Sequence, residues 1–254
     1  MIRVSTRVSE LLGEPEQLPV RLHGGLADLE IDLQTTALLC VDMQEHVAKP
    51  RAGPKEEAAR LLGLTGDLEY YWRQLEVAIA NLQRLQTAFR QAGLEVVYTK
   101  GGLLTQDGRD RGKAKSLLRA GRHRYAGDTG IALSDAVPQD SRIIDELAPL
   151  PNEVVILKNG STAFGMTRID LVLRNLGVET LVIGGVVTNQ CVEATVRGAF
   201  DHGFAAVLVD DACATYSEDL RRGTLQSIGD WFCKVITTDS VLSWFDQKGM
   251  VAET

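Results

Sequence analysis

Residues 180–195 read TLVIGGVVTNQCVEAT, and this stretch decides the fold. Its first seven residues are apolar or small, which is typical of a strand buried on both faces of a sheet. Val192 and Val196 then follow a helical spacing. Cys191 stands where the strand gives way to the helix. At this position free backbone N–H groups and the helix dipole favour a thiolate.

The same alternation of strand and helix runs along most of the chain. The other predicted strands are ALLCVDM (37–43), LEVVYTK (94–100), VVILK (154–158), AAVLVDDA (205–212) and KVITT (234–238). Apolar strands separated by helices predict a mostly parallel sheet covered on both faces, in one α/β domain. We place this domain at residues 36–246, between an N-terminal extension (1–35) and a C-terminal tail (247–254).

The composition favours a small-molecule partner. The chain has 254 residues and a formal net charge of -7. This charge argues against nucleic acid or an anionic membrane as partner, since both reward clustered Lys and Arg. No apolar run approaches the length of a membrane span, and the amino terminus lacks the apolar block of a secretory signal. The sequence therefore predicts a cytoplasmic protein.

The four cysteines contain no CxxC pair and are widely spaced, which argues against a disulfide scaffold and against a zinc knuckle. Three of them, Cys40, Cys213 and Cys233, lie in or beside apolar patterns and are predicted to be inert core thiols. The fourth, Cys191, is the exception considered next.

Polar residues stand at the carboxyl ends of the predicted strands, where ligands bind in sheets of this kind. Asp42, Lys100 and Lys158 end the first three strands, and Cys191 follows the fourth. Taken singly, each fits a turn, a solvated surface or a packed core. Together, an acid, an amine and a thiol at one edge favour an activated nucleophile: the carboxylate takes the thiol proton, and the ammonium lowers the thiol pKa.

Three motifs extend this interpretation. They are VDMQ (41–44), LPNEVVILKNGSTAFGMTRIDLVLRNLGVETLVIGG (150–185) and GVVTNQCVEAT (185–195). Their order and spacing resemble the cysteine-hydrolase branch of the isochorismatase-like superfamily over about residues 36–246. The resemblance implies a single-domain, Rossmann-like three-layer sandwich with a six-stranded, mostly parallel sheet. It also implies a homo-oligomer, a dimer or tetramer.

The resemblance assigns roles to individual residues. Asp42 would be the general base, Lys158 the bridging cation and Cys191 the nucleophile. A cis peptide bond between Val186 and Val187 would turn the backbone N–H groups of Val187 and Cys191 into an oxyanion hole. The implied reaction is hydrolysis of a carbon–nitrogen bond through a thioester or thiocarbamate intermediate.

Details of the motifs narrow the choice of cofactor and the class of substrate. Some relatives bind a metal through an Asp-x-His element after the second strand, but here that region reads YTKGGLL (98–104). We therefore predict no metal and no cofactor. The TNxCVExT form of the cysteine motif resembles enzymes that act on ureido compounds. Candidate substrate-binding residues are Lys100, Phe164 and Thr188, each of which also fits a surface or packing role.

The segment 99–130 is rich in basic residues and has glycines near its ends. It fits a lid that attracts a carboxylate or ureido substrate, or equally a solvated or subunit-contacting excursion. Two other functions stay open: an isochorismatase-like hydrolase with another small substrate, and a catalytically silent binding or scaffold subunit. A dinucleotide-binding oxidoreductase is disfavoured because no GxGxxG follows the first predicted strand.

Overall fold

A computed structural model gives the structure, which describes residues 1–13, 28–49, 65–102 and 142–247. Six parallel strands form one sheet in the order β5-β4-β3-β6-β7-β8. The strands are β1 (Ile2–Val4), β2 (Leu29–Ile31), β3 (Thr36–Val41), β4 (Val96–Gly101), β5 (Val154–Lys158), β6 (Thr180–Val186), β7 (Ala205–Ala214) and β8 (Lys234–Ile236). The predicted six-stranded, parallel α/β sheet is confirmed.

Helices cover both faces of this sheet. The α-helices are α1 (Val8–Leu11), α2 (Glu45–Ala48), α3 (Thr65–Gln91), α4 (Ile169–Asn175), α5 (Glu193–Asp201), α6 (Glu218–Ile228) and α7 (Thr238–Gln247). Helices α3 and α7 share one apolar core with the sheet, whereas α4, α5 and α6 contribute to a second core on the opposite face. Among the described helices, none combines the length and apolarity that crossing a bilayer requires.

The centre of the sheet is fully buried. Every residue of β3 and β6 is buried, and the two strands pair in register from Thr36 with Thr180 to Val41 with Gly185. Gly185 has φ 131°, and a side chain there would collide with the backbone of Val41. Only glycine tolerates both conditions. This glycine therefore lets the cysteine-bearing strand lie closely against the strand that leads to Asp42.

The N-terminal residues that the structure describes pack onto the domain. Strands β1 and β2 pair antiparallel as a separate two-stranded sheet, and Ile2, Val4 and Ile31 are buried. Farther along, the backbone N–H of Val8 donates to a carboxylate oxygen of Asp230 at 3.0 Å. The predicted N-terminal extension (1–35) thus contributes buried side chains to the fold.

Strand β7 contains an irregularity that shifts its register against β6 before its carboxyl end. Ile183 pairs with Leu208 and Gly185 pairs with Cys213, so residues 209–212 of β7 lie opposite a single residue of β6. After this irregularity, the Thr215 hydroxyl donates to the side-chain oxygen of Asn189 at 2.7 Å. The end of β7 is thereby tied to the turn that carries Cys191.

Candidate active site

Asp42 follows the last residue of β3 and has a left-handed backbone, with φ 52°. This conformation is uncommon outside glycine, although Asp adopts it more readily than most residues. Neighbouring strand β4 supports it, because the Asp42 N–H lies 3.2 Å from both the carbonyl oxygen and the hydroxyl oxygen of Thr99. The Thr99 hydroxyl in turn donates to Asp42 Oδ1 at 2.8 Å. The carboxylate is therefore fixed at the carboxyl edge of the sheet.

Lys158 is the last residue of β5, and its side chain is almost completely buried. Its Nζ lies 2.6 Å from Asp42 Oδ2 and donates to the carbonyl oxygens of Gly160 at 3.1 Å and Ser161 at 3.0 Å. Strand β4 separates β5 from β3, so only a long side chain reaches the acid. Gly101, which has no side chain, is the β4 residue in register with Lys158.

Cys191 lies in a π-helical turn, Thr188–Val192, between β6 and α5. Its thiol is within hydrogen-bond range of both Asp42 and Lys158, and the residue is partly exposed. The structure thus brings together the three residues that the sequence predicted, and we call them the edge trio. The role of each stays a prediction.

The thiol pKa differs from the sequence expectation. The sequence predicted a thiol pKa lowered by Lys158 and by the helix start. In the structure, burial and the negative charge of Asp42 raise the pKa of Cys191 to about 11, against the opposing effect of Lys158. Desolvation disfavours the thiolate more than the nearby ammonium favours it. At neutral pH the resting residue is therefore a neutral thiol.

The peptide bond between Val186 and Val187 is cis, as the resemblance implied. The Val187 carbonyl accepts hydrogen bonds from the N–H groups of Gln190 at 2.9 Å and Val192 at 3.3 Å, which close the π-helical turn. Within the described part of the chain, the Val187 N–H makes no backbone hydrogen bond. Its oxyanion role, shared with the Cys191 N–H, stays a prediction.

The three predicted substrate-binding residues have different surroundings. Thr188 is buried at the start of the turn that carries Cys191. Phe164 is buried against His202 and Phe204, with ring centroids 5.3 and 5.6 Å apart, so the contacts described for it are packing contacts. Lys100 is partly exposed in β4, opposite Leu157 of β5. The segment 99–130 lies outside the described residues beyond Gly102.

Two residues support Asp42: Thr99, which the sequence did not single out, and Gln44, the last residue of the VDMQ motif. Thr99 bonds the carboxylate, and Gln44 forms a double hydrogen bond with the backbone of Gly101, at 2.7 Å to its N–H and 3.0 Å to its carbonyl. The alternation of side chains along β4 is the signal that could have identified Thr99. Successive side chains in a strand point to opposite faces, so the side chains of Thr99 and Lys100 leave β4 on opposite faces of the sheet.

The remaining polar residues of the cysteine motif join neighbouring elements. Glu193 accepts hydrogen bonds from Arg197, which also donates to Ser227 of α6 at 2.6 Å. The Thr195 hydroxyl accepts from the backbone N–H of Ala163 at 3.2 Å. These contacts tie α5 to α6 and to the loop after Lys158. They hold the helix behind the thiol in place.

An aromatic pair lies near the thiol. Tyr71 of α3 is buried, donates to the Val47 carbonyl at 2.9 Å and interacts electrostatically with Cys191. Tyr216, two residues beyond β7, stacks on Tyr71 with ring centroids 4.7 Å apart and is partly exposed. The partly exposed Tyr216 ring is thus joined by stacking to a buried residue that interacts with the thiol.

The other cysteines are buried, as predicted. Burial raises the pKa of the Cys40 thiol to about 12 and also raises those of Cys213 and Cys233. Buried neutral thiols are poor nucleophiles. Among the residues that the structure describes, no group of three or more His, Cys, Asp or Glu side chains is placed to hold a metal ion. The absence of a metal or cofactor stays a prediction.

A parallel α/β sheet with an acid, an amine and a partly exposed thiol at its carboxyl edge is the arrangement of a cysteine-dependent hydrolase. Residues 36–240 match the model of the isochorismatase domain. The chain belongs to the isochorismatase family, and it is a hydrolase, as its sequence predicted.

Curated relatives and a solved structure are consistent with this family assignment. Ureidoacrylate amidohydrolase RutB of Acinetobacter baylyi is 27% identical over 238 residues, covering 89% of this chain and 90% of the relative. The protein of the same name from Pantoea ananatis is 31% identical over 183 residues, covering 70% and 69%. A cysteine hydrolase from Pseudomonas syringae pv. phaseolicola superposes with a TM-score of 0.68 and 25% identity, covering 87% of this chain and 97% of that chain.

Proposed function

We propose that this protein hydrolyses a carbon–nitrogen bond of a small ureido or amide compound, with Cys191 as nucleophile. One observation carries the proposal: a buried ammonium and carboxylate, 2.6 Å apart, both lie within hydrogen-bond range of a partly exposed thiol. A thiol whose pKa is raised to about 11 requires a base at the moment of attack. In this proposal Asp42 is that base.

In the first half of the reaction, Asp42 takes the thiol proton as the sulfur of Cys191 attacks the carbonyl carbon. The carbonyl oxygen becomes an oxyanion, which the backbone N–H groups of Val187 and Cys191 stabilise. The carbon–nitrogen bond then breaks, and the departing nitrogen receives the proton that Asp42 carries. A thioester or, from a ureido compound, a thiocarbamate remains on Cys191.

In the second half, Asp42 removes a proton from water, and the resulting hydroxide attacks the same carbon. The carbon–sulfur bond breaks, and Asp42 returns the proton to the departing sulfur, which restores the neutral thiol. Lys158 exchanges no proton in this scheme, and it donates to Asp42 and to two backbone carbonyls. It stabilises the carboxylate whenever Asp42 is ionised.

Two observations support a ureido compound as the substrate. Two relatives, each matched over about 90% of its own length, are named ureidoacrylate amidohydrolases. Tyr216, which is partly exposed, stacks on Tyr71, a residue that interacts electrostatically with Cys191. Aromatic faces of this kind pack well against planar groups. A ureido group joined to an unsaturated acid is planar.

Ammonia release from a panel of substrates tests the proposal. The panel contains ureidoacrylate, biuret, triuret, N-carbamoyl amino acids and nicotinamide. We expect turnover of at least one ureido compound, and a loss of at least about 10³-fold in Cys191→Ser. Cys40→Ser is the matched control, since Cys40 is a buried core thiol in the same domain. Absence of turnover across the panel, or turnover retained in Cys191→Ser, would contradict the proposal.

A further inference from the structure

Thr99 is completely buried in β4, in register with Val41 of β3. Its hydroxyl oxygen makes two contacts with Asp42, the residue after Val41. It donates to Asp42 Oδ1 at 2.8 Å and lies 3.2 Å from the Asp42 N–H. One threonine therefore bonds both the backbone and the side chain of the predicted base.

The two carboxylate oxygens of Asp42 have different donors. Thr99 donates to Oδ1, and the Lys158 ammonium lies 2.6 Å from Oδ2. The final torsion of an Asp side chain is broad and roughly two-fold, so a single ion pair leaves the carboxylate plane poorly defined. A second donor on the other oxygen removes this freedom.

The surroundings of Thr99 strengthen this constraint. Asp42 has a left-handed backbone, and Gln44 fastens the following residues to Gly101 of the same strand β4. Strand β4 thus holds the Asp42 turn at two points, once through Thr99 and once through Gly101. Only the contact with Thr99 reaches the reacting group itself.

We infer that Thr99 is a positioning residue for the reaction, which holds the Asp42 carboxylate in the orientation that accepts the Cys191 proton. This inference rests on the proposed function. Thr99 contacts neither the thiol nor the substrate in this scheme, and it acts through Asp42. Misplacing a catalytic group by a small distance lowers the rate of the chemical step more than it weakens substrate binding.

Two substitutions at this position isolate the hydroxyl. Thr99→Val keeps the shape and removes the donor, whereas Thr99→Ser keeps the donor and removes a methyl group. We expect kcat to fall about 10- to 100-fold in Thr99→Val with KM changed less than about threefold, and to stay within about threefold of the native value in Thr99→Ser. Recovery of kcat by serine separates positioning from packing.

Thr36→Val is the matched control. Thr36 is a buried threonine of β3 whose hydroxyl donates to the Asp32 carbonyl at 2.7 Å, at the opposite end of the sheet. Thr36→Val removes a hydrogen bond comparable to the one lost in Thr99→Val, but far from the edge trio. We therefore expect a similar loss of stability and a native kcat. A native-like kcat in Thr99→Val, or equal losses in Thr99→Val and Thr99→Ser, would overturn the inference.

A second measurement separates this inference from the proposed function. If the native protein turns over no substrate in the panel, the proposed function fails, and alkylation of Cys191 by iodoacetamide at pH 8 decides instead. Alkylation consumes the thiolate, so it depends on where the thiol proton goes. Because the nearby Asp42 carboxylate raises the thiol pKa, a carboxylate that leaves its orientation increases the thiolate fraction, and we expect about threefold faster alkylation in Thr99→Val and a native rate in Thr99→Ser. Equal rates in Thr99→Val and the native protein would overturn the inference.

Discussion

The edge trio at the carboxyl end of the sheet has a counterpart near the start of β8. This β8 trio consists of Asp230, Cys233 and Lys234. Its aspartate also has a left-handed backbone, with φ 59° against 52° in Asp42. Its lysine is likewise buried and lies 3.2 Å from its aspartate, against 2.6 Å in the edge trio. The same three side-chain types thus form two buried ion pairs beside a thiol.

The two trios differ in what the thiol can reach. Cys191 is partly exposed and lies within hydrogen-bond range of both charged partners. Cys233 is completely buried, and its sulfur lies 3.8 Å from the Ile228 carbonyl oxygen. Asp230 accepts a hydrogen bond from the backbone of Val8, which fastens the N-terminal residues. An acid, an amine and a thiol therefore indicate chemistry only where a substrate can approach the sulfur.

Removal of each lysine gives the largest expected contrast. Lys158→Met leaves the buried Asp42 carboxylate without its ammonium, which we expect to cost about 3–5 kcal/mol of unfolding free energy. Lys234→Met should cost less, because the Arg7 guanidinium also lies 4.0 Å from the Asp230 carboxylate. Only Lys158→Met should also lower kcat, by about 10²- to 10⁴-fold. Urea unfolding and kcat measured on the folded fraction distinguish the two effects. A comparable fall of kcat in Lys234→Met would break the comparison.

Alkylation of the two thiols gives the next contrast. Because the pKa of Cys191 is raised to about 11, its iodoacetamide rate should rise about tenfold per pH unit from pH 7 and level off near pH 11. Cys233 should stay unlabelled until the protein unfolds. Peptide mass spectrometry of samples quenched at each pH follows both sites. A rate for Cys191 that is flat between pH 7 and 9 would show a preformed thiolate and contradict the raised pKa.

Two glycines sharpen the comparison at the level of the backbone. Gly185→Ala places a Cβ against the backbone of Val41, and Gly229→Ala places one 2.6 Å from the Leu225 carbonyl and against the Val8 side chain. We expect each to destabilise the fold by about 1–3 kcal/mol. Only Gly185→Ala should lower kcat, about tenfold, since it displaces the strand that leads to Asp42. Equal kcat values in both variants would count against this reading of the sheet edge.

The aromatic pair gives the smallest expected effect. Tyr216→Leu removes the partly exposed ring of the stacked pair, and we expect KM for a planar ureido substrate to rise about 2- to 10-fold with kcat nearly unchanged. Phe200→Leu is the control, since Phe200 is an exposed aromatic residue of α5 that packs on Phe232. Steady-state kinetics of both variants provide the test. An unchanged KM in Tyr216→Leu would remove the aromatic support for a planar substrate.

The sequence predicted the sheet and the meeting of Asp42, Lys158 and Cys191, because strand ends in a parallel sheet converge on one edge whatever the details of packing. It did not identify Thr99 as a partner of the Asp42 carboxylate, since that contact depends on which face of the sheet each β4 side chain occupies. Nor did it predict the raised pKa of Cys191. That value depends on how completely three-dimensional packing removes water from the thiol.

The carbonyl groups of Gly160 and Ser161 surround Lys158 Nζ together with the Asp42 carboxylate. In bulk water an ammonium ion obtains this environment from its hydration shell. Here the chain supplies it from its own oxygens, so the loop after β5 acts as the solvent of a tethered ion. The shape of that loop is then determined by a charge, whereas most of the surrounding domain is shaped by the exclusion of water from apolar side chains.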